Sequence, residues 1–341
     1  DQATGQGSTE ELGGHVFADG GRHLAVDVQD GGSGRGQFVG HGGVHHHNGF
    51  LNVNGIFEGR FDTIITNPPF GANLEPTDLV MESDVALDEE VEKLYQRRYS
   101  EPYREARKRL WNAVGQPIGK LFTLPQNAQG KIGKIKTEVL FIERCLDLLK
   151  PGGRLGIVLP EGIFNNPSLA YVRQFTEDRA RLLAIVSLPQ ETFVASGASV
   201  KCSLLFLQKF TEAQAAEYAA LHKAAQAEVA ARHAPALQAE RQRLADAIAA
   251  AKAAKDTTAR KERTAELAAY EKRMAEQMQA EARGLLKTRF DYPVFLYEAD
   301  KVGMTATGEP DTNELYPNPR QPQGLEMTAL EQYRAFTQDA T

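Results

Sequence analysis

The sequence predicts an α/β fold: a doubly wound, mostly parallel sheet followed by a long α-helical arm. Two observations carry this prediction. Between residues 60 and 210, short β-branched or aliphatic runs alternate with apolar-periodic segments of helical length, the pattern of a sheet covered by crossover helices. Between 211 and 285 the chain is about a third alanine, rich in Glu, Gln, Lys and Arg, and free of glycine from 198 to 283, which is the composition of long helices.

Composition bounds the function. The chain has 341 residues. At roughly 100–200 residues per domain this allows about two domains, or one large α/β domain with an attachment. Cys145 and Cys202 are the only cysteines, each alone in an apolar stretch, which excludes a disulfide scaffold, a zinc ribbon and a CxxC redox motif. No apolar run approaches a membrane span, and the N-terminus lacks the layout of a signal peptide, so a soluble cytoplasmic protein is expected. A net charge of −6 argues against a globally basic coating protein and leaves local basic patches open.

Composition is uneven. Sixteen of the 30 glycines and six of the eight histidines fall in residues 1–60. Residues 1–40 hold one alternating run, HLAVDVQ, that reads as a strand; the rest is expected to have low order. Thr63-Ile64-Ile65-Thr66 reads as a buried strand stopped by Pro68 and Pro69, which cannot donate to a sheet ladder. Residues 75–90 carry seven acids and no base. Residues 91–136 carry eleven Lys or Arg against three acids, with aromatics interleaved. Lys93 to Leu110 reads as helix and 115–136 as loop. Thr137 with its following acid reads as the cap of a helix, EVLFIERCLDLL, stopped by Pro151-Gly152-Gly153. RLGIVLP is a strand, and Asn166-Pro167 opens the helix SLAYVRQFTED. LLAIVSLP and VKCSLLFLQKF are strands joined too briefly for a crossover helix, so an antiparallel hairpin fits them. In the alanine-rich region Pro235 is expected to split the helix. The second piece has a broken apolar seam and reads as a helical hairpin or an arm against a partner, with a solvated spacer as the equal alternative. The tail from Phe290, rich in Pro, Asn and Gly, ends in a short polar helix.

The chemistry centres on Asn67-Pro68-Pro69-Phe70. Ligands of open α/β sheets sit at the carboxyl ends of strands, where this tetrapeptide falls. The bland reading is a rigid strand-ending turn. The functional reading starts from the Asn67 side-chain oxygen and the Pro68 carbonyl, two acceptors with no competing proline N–H. They suit the two N–H donors of an exocyclic amine. Acceptors drawing on those hydrogens favour a pyramidal nitrogen with an available lone pair, at little cost in reorganisation. Phe70 offers a face for stacking a heterocycle. Nothing here is a nucleophile or metal ligand, so the site reads as positioning for transfer to nitrogen.

Asp62 to Gly71, DTIITNPPFG, resembles the catalytic motif of amino-methylating, S-adenosylmethionine-dependent methyltransferases. With TEVLFIERCLDLLKPGGRLGIVLPEGIF (137–164), LLAIVSLPQETF (182–193) and VKCSLLFLQKF (200–210), the chain resembles the methylation subunit of type I restriction-modification systems, N6-adenine DNA methyltransferases, lacking its N-terminal part. The resemblance covers 41–210 and, more loosely, Phe290 to Pro319. It implies a Rossmann-like methyltransferase sheet of which the later half is recognisable. It also implies methyl transfer from S-adenosylmethionine to a flipped adenine in DNA. In it Asn67 and the Pro68 carbonyl bind the amino group, Phe70 stacks on the base and Pro69 stiffens the loop. The implied partners are DNA, a specificity subunit and a restriction subunit; no membrane is involved. Arg97, Arg98, Arg104, Arg107, Lys108 and Arg109 are the DNA-facing candidates, with a solvated helix face as the even alternative.

The cofactor half departs from the family pattern. No glycine-rich strand–turn–helix is present; GGSGRG (31–36) lies in the wrong context. Where the family has an acid before a Gly-Phe-Leu-type segment, this chain has Asn48, the one weak cofactor candidate. His41, His45, His46 and His47 have no ligand spacing, so no metal is expected. The expected organisation is a glycine-rich, disordered or non-native segment (1–40, from a shifted frame or truncated gene), a partial catalytic domain (41–210), a helical arm (211–287) and a tail (288–341). Activity of the chain alone stays open. The alternatives are a non-catalytic assembly module of the same complex, or an RNA or protein amino-methyltransferase.

Overall fold

A computed structural model describes residues 15–19, 23–27, 48–52, 55–127, 129–196 and 199–339. GGSGRG and the histidines at 41 and 45–47 lie outside the described residues, as does all of 1–40 except two short strands. These are β1 (His15–Asp19) and β2 (His23–Asp27), paired antiparallel. β2 coincides with the run HLAVDVQ.

The chain continues through β3 (Phe61–Thr66), β4 (Asn73–Leu74), α1 (Glu82–Val85), α2 (Glu89–Asn112), β5 (Ile135–Lys136), α3 (Thr137–Leu148) and β6 (Leu149–Pro160). It goes on through α4 (Gly162–Asn165), α5 (Ala170–Glu177), β7 (Ala180–Ser187) and β8 (Cys202–Lys209). Two long helices follow, α6 (Glu212–Ala253) and α7 (Thr257–Arg289), then β9 (Phe295–Glu298), β10 (Val302–Met304), β11 (Pro310–Asn313) and α8 (Ala329–Asp339). These form two compact units. One holds the described residues up to Thr211 together with Pro293 onward, and the other is Glu212–Tyr292.

The first unit is built on a five-stranded sheet of order β3-β6-β8-β7-β9. β3 runs parallel to β6, and β7 parallel to β9, while β8 lies antiparallel between β6 and β7. The sheet is therefore mixed, not mostly parallel. The reason is the short β7–β8 connection, which allows a return strand but no crossover helix. α3 and α5 cover one face. Val139, Leu140, Ile142, Val172 and Phe175 pack there with Ile64, Leu155, Ile157, Leu205 and Leu207 in one continuous core. Pro151-Gly152-Gly153 does not end α3 as expected, since β6 already starts at Leu149. The prolyl-glycyl run instead bulges β6: Phe61 pairs with Leu149, but Thr63 pairs with Arg154. Gly153 suits the close approach there, since a Cβ would lie 3.0 Å from the Lys150 carbonyl oxygen and 3.1 Å from that of Asp62.

The opposite face carries a row that crosses all five strands, Ile65–Gly156–Phe206–Ala184–Phe295. α8 covers one end of it, with Tyr333 and Phe336 each 5.6 Å from the Phe295 ring. At the other end Ile65 and Phe206 remain 49% and 38% exposed.

The second unit is a helical hairpin. α6 and α7 contain 42 and 33 residues, or roughly 60 and 50 Å at 1.5 Å per residue. Pro235 does not split α6. It faces solvent inside a continuous helix, while His233 and Arg241 on either side pair with Glu281 and Glu271 of α7. The break falls instead at Lys255, with φ +58°, and at Asp256, whose carboxylate caps α7 by accepting from the Thr258 and Ala259 amides.

Candidate functional site

The chain leaves the sheet at Asn67 because Pro68 and Pro69 have no N–H to continue the ladder. Asn67 is exposed, Pro68 buried, and Pro69 and Phe70 half-buried. The Asn67 side chain makes no hydrogen bond among the described residues. Gly71 then turns the chain with φ +78°, a left-handed conformation that favours glycine. β4 follows at once and pairs with β5, Asn73 with Lys136 and Leu74 with Ile135.

β5 runs directly into α3, and the first turn of that helix holds the loop. Thr137 is not the cap that the sequence pattern predicts. It is the first residue of the helix, and Lys136, at the cap position, makes no side-chain cap bond. The Thr137 hydroxyl turns to the loop and donates to the Pro69 carbonyl at 3.0 Å, with the Ala72 carbonyl at 3.3 Å as the alternative acceptor. The Thr137 amide donates to the same Ala72 carbonyl at 3.1 Å. The Glu138 carboxylate accepts from the Gly71 amide at 3.3 Å. Both side chains are deeply buried, Thr137 at 3% and Glu138 at 4% exposure. At the end of β3 the Thr66 hydroxyl is buried and has no partner among the described residues.

Further along α3, two more buried polar residues hold other loops. The Glu143 carboxylate accepts from the Thr123 and Leu124 amides at 2.6 and 2.8 Å. Arg144 donates to the Gly49 and Leu51 carbonyls at 3.0 and 2.7 Å and to the Asn52 side chain at 2.7 Å. Asn52 donates in turn to Glu58, which pairs with Arg109. Burial lowers the Arg144 guanidinium from its usual range, against the pull of Glu58 and Asp147. Burial, helped by Glu143, raises Asp147 to about 6. Cys145 is pushed up to about 12 by burial, which makes it an inert thiol.

Of the residues singled out in the sequence, Asn67 to Phe70 stand together at the mouth of β3. Asn48 spends its polar groups locally. Its side-chain oxygen accepts from the Phe50 amide at 3.1 Å and its carbonyl from the Leu51 amide at 3.0 Å. Among the basic candidates on α2, Arg97, Arg98, Arg104, Lys108 and Arg109 are exposed. Arg107 is a correction: it is buried, donates to the Val85 carbonyl at 2.8 Å and pairs with Glu92, so it braces α1 against α2 instead of standing on the exposed face. α2 is interrupted at Ser100, with φ +54°, just before Pro102. The interleaved tyrosines do not form an open stacking platform. Tyr95, Tyr99 and Tyr103 pack with Phe57, and the Arg60 guanidinium lies 4.3 Å over the Tyr99 ring.

Asn67, the Pro68 carbonyl and Phe70 thus stand on a loop at the end of β3 that the start of α3 holds. Among the described residues no glycine-rich strand–turn–helix stands beside β3, which forms the edge of the five-stranded sheet. The described residues do not by themselves fit S-adenosylmethionine. No metal-binding cluster occurs among the described residues, and no described helix is long and apolar enough to cross a membrane.

Residues 125–281, a little under half of the chain, match the family model of the N-6 DNA methylases. The matched stretch begins after Phe70. No curated protein matches the sequence. Among solved structures, a Listeria monocytogenes protein described as a class I S-adenosylmethionine-dependent methyltransferase is 23% identical over 45% of this chain and 32% of its own, with a TM-score of 0.27. The M protein of the type I restriction enzyme EcoKI is 22% identical over 46% of this chain and 22% of its own, with a TM-score of 0.26. A Vibrio vulnificus protein described as a modification subunit of a type I restriction enzyme is 21% identical over 44% of this chain and 23% of its own, with a TM-score of 0.28. The chain thus spans a third or less of the length of these structures.

Proposed function

We propose, from the N-6 DNA methylase sequence that the chain carries at 125–281 and the site at the end of β3, that it supplies the amine-binding part of a methyltransferase acting on adenine N6 in DNA. Its mixed five-stranded sheet with α3 and α5 on one face accords with the Rossmann-like methyltransferase sheet this reading implies. The carrying observation is the placement of Asn67 and the Pro68 carbonyl at the carboxyl end of β3, on a loop fastened to the start of α3. The Asn67 oxygen and the Pro68 carbonyl each accept one N–H of the adenine amine, drawing the nitrogen toward a pyramidal form. Phe70 stacks on a base flipped from the duplex. S-adenosylmethionine is the donor this reading implies; Asn67, Pro68 and Phe70 all serve the acceptor side. The reading puts the protein in the cytoplasm, with a specificity subunit carrying much of the DNA contact and a restriction subunit able to join. The exposed basic side chains of α2 are the DNA-facing surface of this chain.

The test is methyl transfer from labelled S-adenosylmethionine to unmethylated duplex DNA, with the specificity subunit present. Transfer is expected, and Asn67→Ala should reduce it by about 10²–10³-fold, as for removal of a pre-placed polar group that stabilises the transition state. Undiminished transfer by Asn67→Ala, or transfer to RNA or protein instead, overturns the reading. The second reading, a non-catalytic assembly module, rests on the described residues, among which no glycine-rich strand–turn–helix stands beside β3. Calorimetry separates the two, because saturable binding of S-adenosylmethionine sinks the assembly module.

A further inference from the structure

We infer that Thr137 and Glu138 are positioning residues for the amine-binding loop, a role that rests on the reading above. Pro68 and Pro69 remove two consecutive N–H donors, so this stretch of backbone offers only acceptors. Such a loop cannot tie itself down and needs donors from outside. The Thr137 hydroxyl supplies one, 3.0 Å from the Pro69 carbonyl, one peptide beyond the Pro68 carbonyl that would receive the amine. The next loop donor fixed by α3 is the Gly71 amide, and the Glu138 carboxylate receives it. The two contacts have opposite polarity and come from adjacent residues. They grip the loop on both sides of Phe70. The β4–β5 pairing continues the hold through Leu74. Neither side chain is needed to build the helix: Thr137 makes no cap bond, and the polar atoms of both point out of α3 to the loop. Burying a carboxylate and a hydroxyl costs free energy unless each is hydrogen-bonded, and here the loop supplies the hydrogen-bond partners, with the Lys136 ammonium 3.9 Å from the Glu138 carboxylate besides.

Two readouts test this. The first needs no activity: amide exchange at Gly71, by NMR on the full chain. Exchange should accelerate about tenfold or more in Glu138→Ala as the bond opens locally. Glu138→Gln should restore protection, because its amide oxygen still accepts. The second is steady-state methyl transfer. Thr137→Val keeps the shape and loses the hydroxyl, so kcat should fall about 10–100-fold with KM for DNA unchanged, the scale of a small misplacement of reacting groups. Thr137→Ser should recover it. Unchanged exchange in Glu138→Ala overturns the clamp, as does equal impairment by Thr137→Val and Thr137→Ser. If Glu138→Ala does not fold, Gly71 exchange in Thr137→Val decides in its place. Should the wild type transfer no methyl group while exchange responds as stated, the clamp stands and the proposed function falls.

Discussion

The sheet unit and the helical hairpin are held together by different physics. In the sheet unit several polar side chains are buried, and those on α3 each hold a particular loop. Glu138, Glu143 and Arg144 sit in one apolar helix, and each reaches a different segment of chain. In the hairpin the buried apolar cluster is small: Ala225, Val229, Ala282 and Leu286, with Tyr218, Leu221 and Phe290 against them. Further along, the two helices are joined by exposed ion pairs such as Arg241–Glu271 and Arg243–Glu266. None of the exposed large hydrophobic side chains lies on α6 or α7, whereas the sheet unit exposes Ile65, Phe206 and Leu296. Buried polar contacts to particular loops thus concentrate on α3, while the ion pairs of the hairpin are solvated.

The largest effect expected from this contrast is at Arg144. Arg144→Ala leaves the Gly49 and Leu51 carbonyls and the Asn52 side chain without a donor, and strips the nearby acids of a buried cation. Breaking a buried charged network of this kind costs about 3–5 kcal/mol. Urea unfolding followed in the sheet unit should show it. A loss below about 1 kcal/mol would place Arg144 with the surface pairs and erase the distinction.

Much of the sheet unit is legible in the sequence. β3, β6, β7 and β8 carry dense β-branched or aliphatic runs, and the β7–β8 pairing follows from connection length alone. The position of Asn67 to Phe70 at the end of β3 can be read because two prolines must stop a strand. The role of Thr137 cannot. A Thr before an acid at a helix start has the pattern of a cap, and only the paired β4 and β5 bring the Pro69 carbonyl within its reach. A signal does exist for its neighbours: EVLFIERCLDLL is apolar nearly all round, so its charged residues have to be buried and therefore partnered. Pro235 misleads because a breaker costs a long helix less when the proline faces solvent and its flanks are held. Asp256-Thr257-Thr258 is the better boundary signal, a capping residue at a chain reversal. Arg107 is illegible because a run of arginines does not reveal which of them faces inward.

A smaller effect, of opposite sign, is expected at Asp147. Its carboxyl is raised from the ordinary value of 3.8 to about 6, by burial first and Glu143 second, with Arg144 and Lys209 opposing. A carboxyl raised on folding favours the protonated folded state. Its penalty is absent below pH 3.8, grows as pH rises toward 6 and is complete above that. Asp147→Asn should therefore stabilise the sheet unit at pH 7.5 by about 1–3 kcal/mol, from about 1.4 kcal/mol for each tenfold change in proton affinity. The advantage should shrink between about pH 6 and about pH 4. Paired unfolding curves at several pH values measure the difference directly, which removes the common loss expected in acid from groups such as Glu58, whose carboxyl is lowered on folding. A pH-independent difference would mean that Asp147 is not the group that titrates.

The smallest effect falls in the hairpin and tests the other half of the contrast. Arg241 and Glu271 approach to 2.6 Å across α6 and α7, yet both side chains are well exposed, at 54% and 38%. Water and salt screen such a pair, and holding two long side chains in one geometry costs entropy. A double-mutant cycle with Arg241→Ala and Glu271→Ala should give a coupling of about 0.2–1 kcal/mol. It should fade at about 1 M salt, where the Debye length drops to roughly 3 Å. Arg241–Glu271 shares no residue with the Arg243–Glu266 pair, so truncating it should leave the coupling of Arg243 to Glu266 unchanged. A coupling that exceeds about 2 kcal/mol or survives high salt would show the ladder to be a cooperative, desolvated network. The hairpin would then be built on the same principle as the sheet unit.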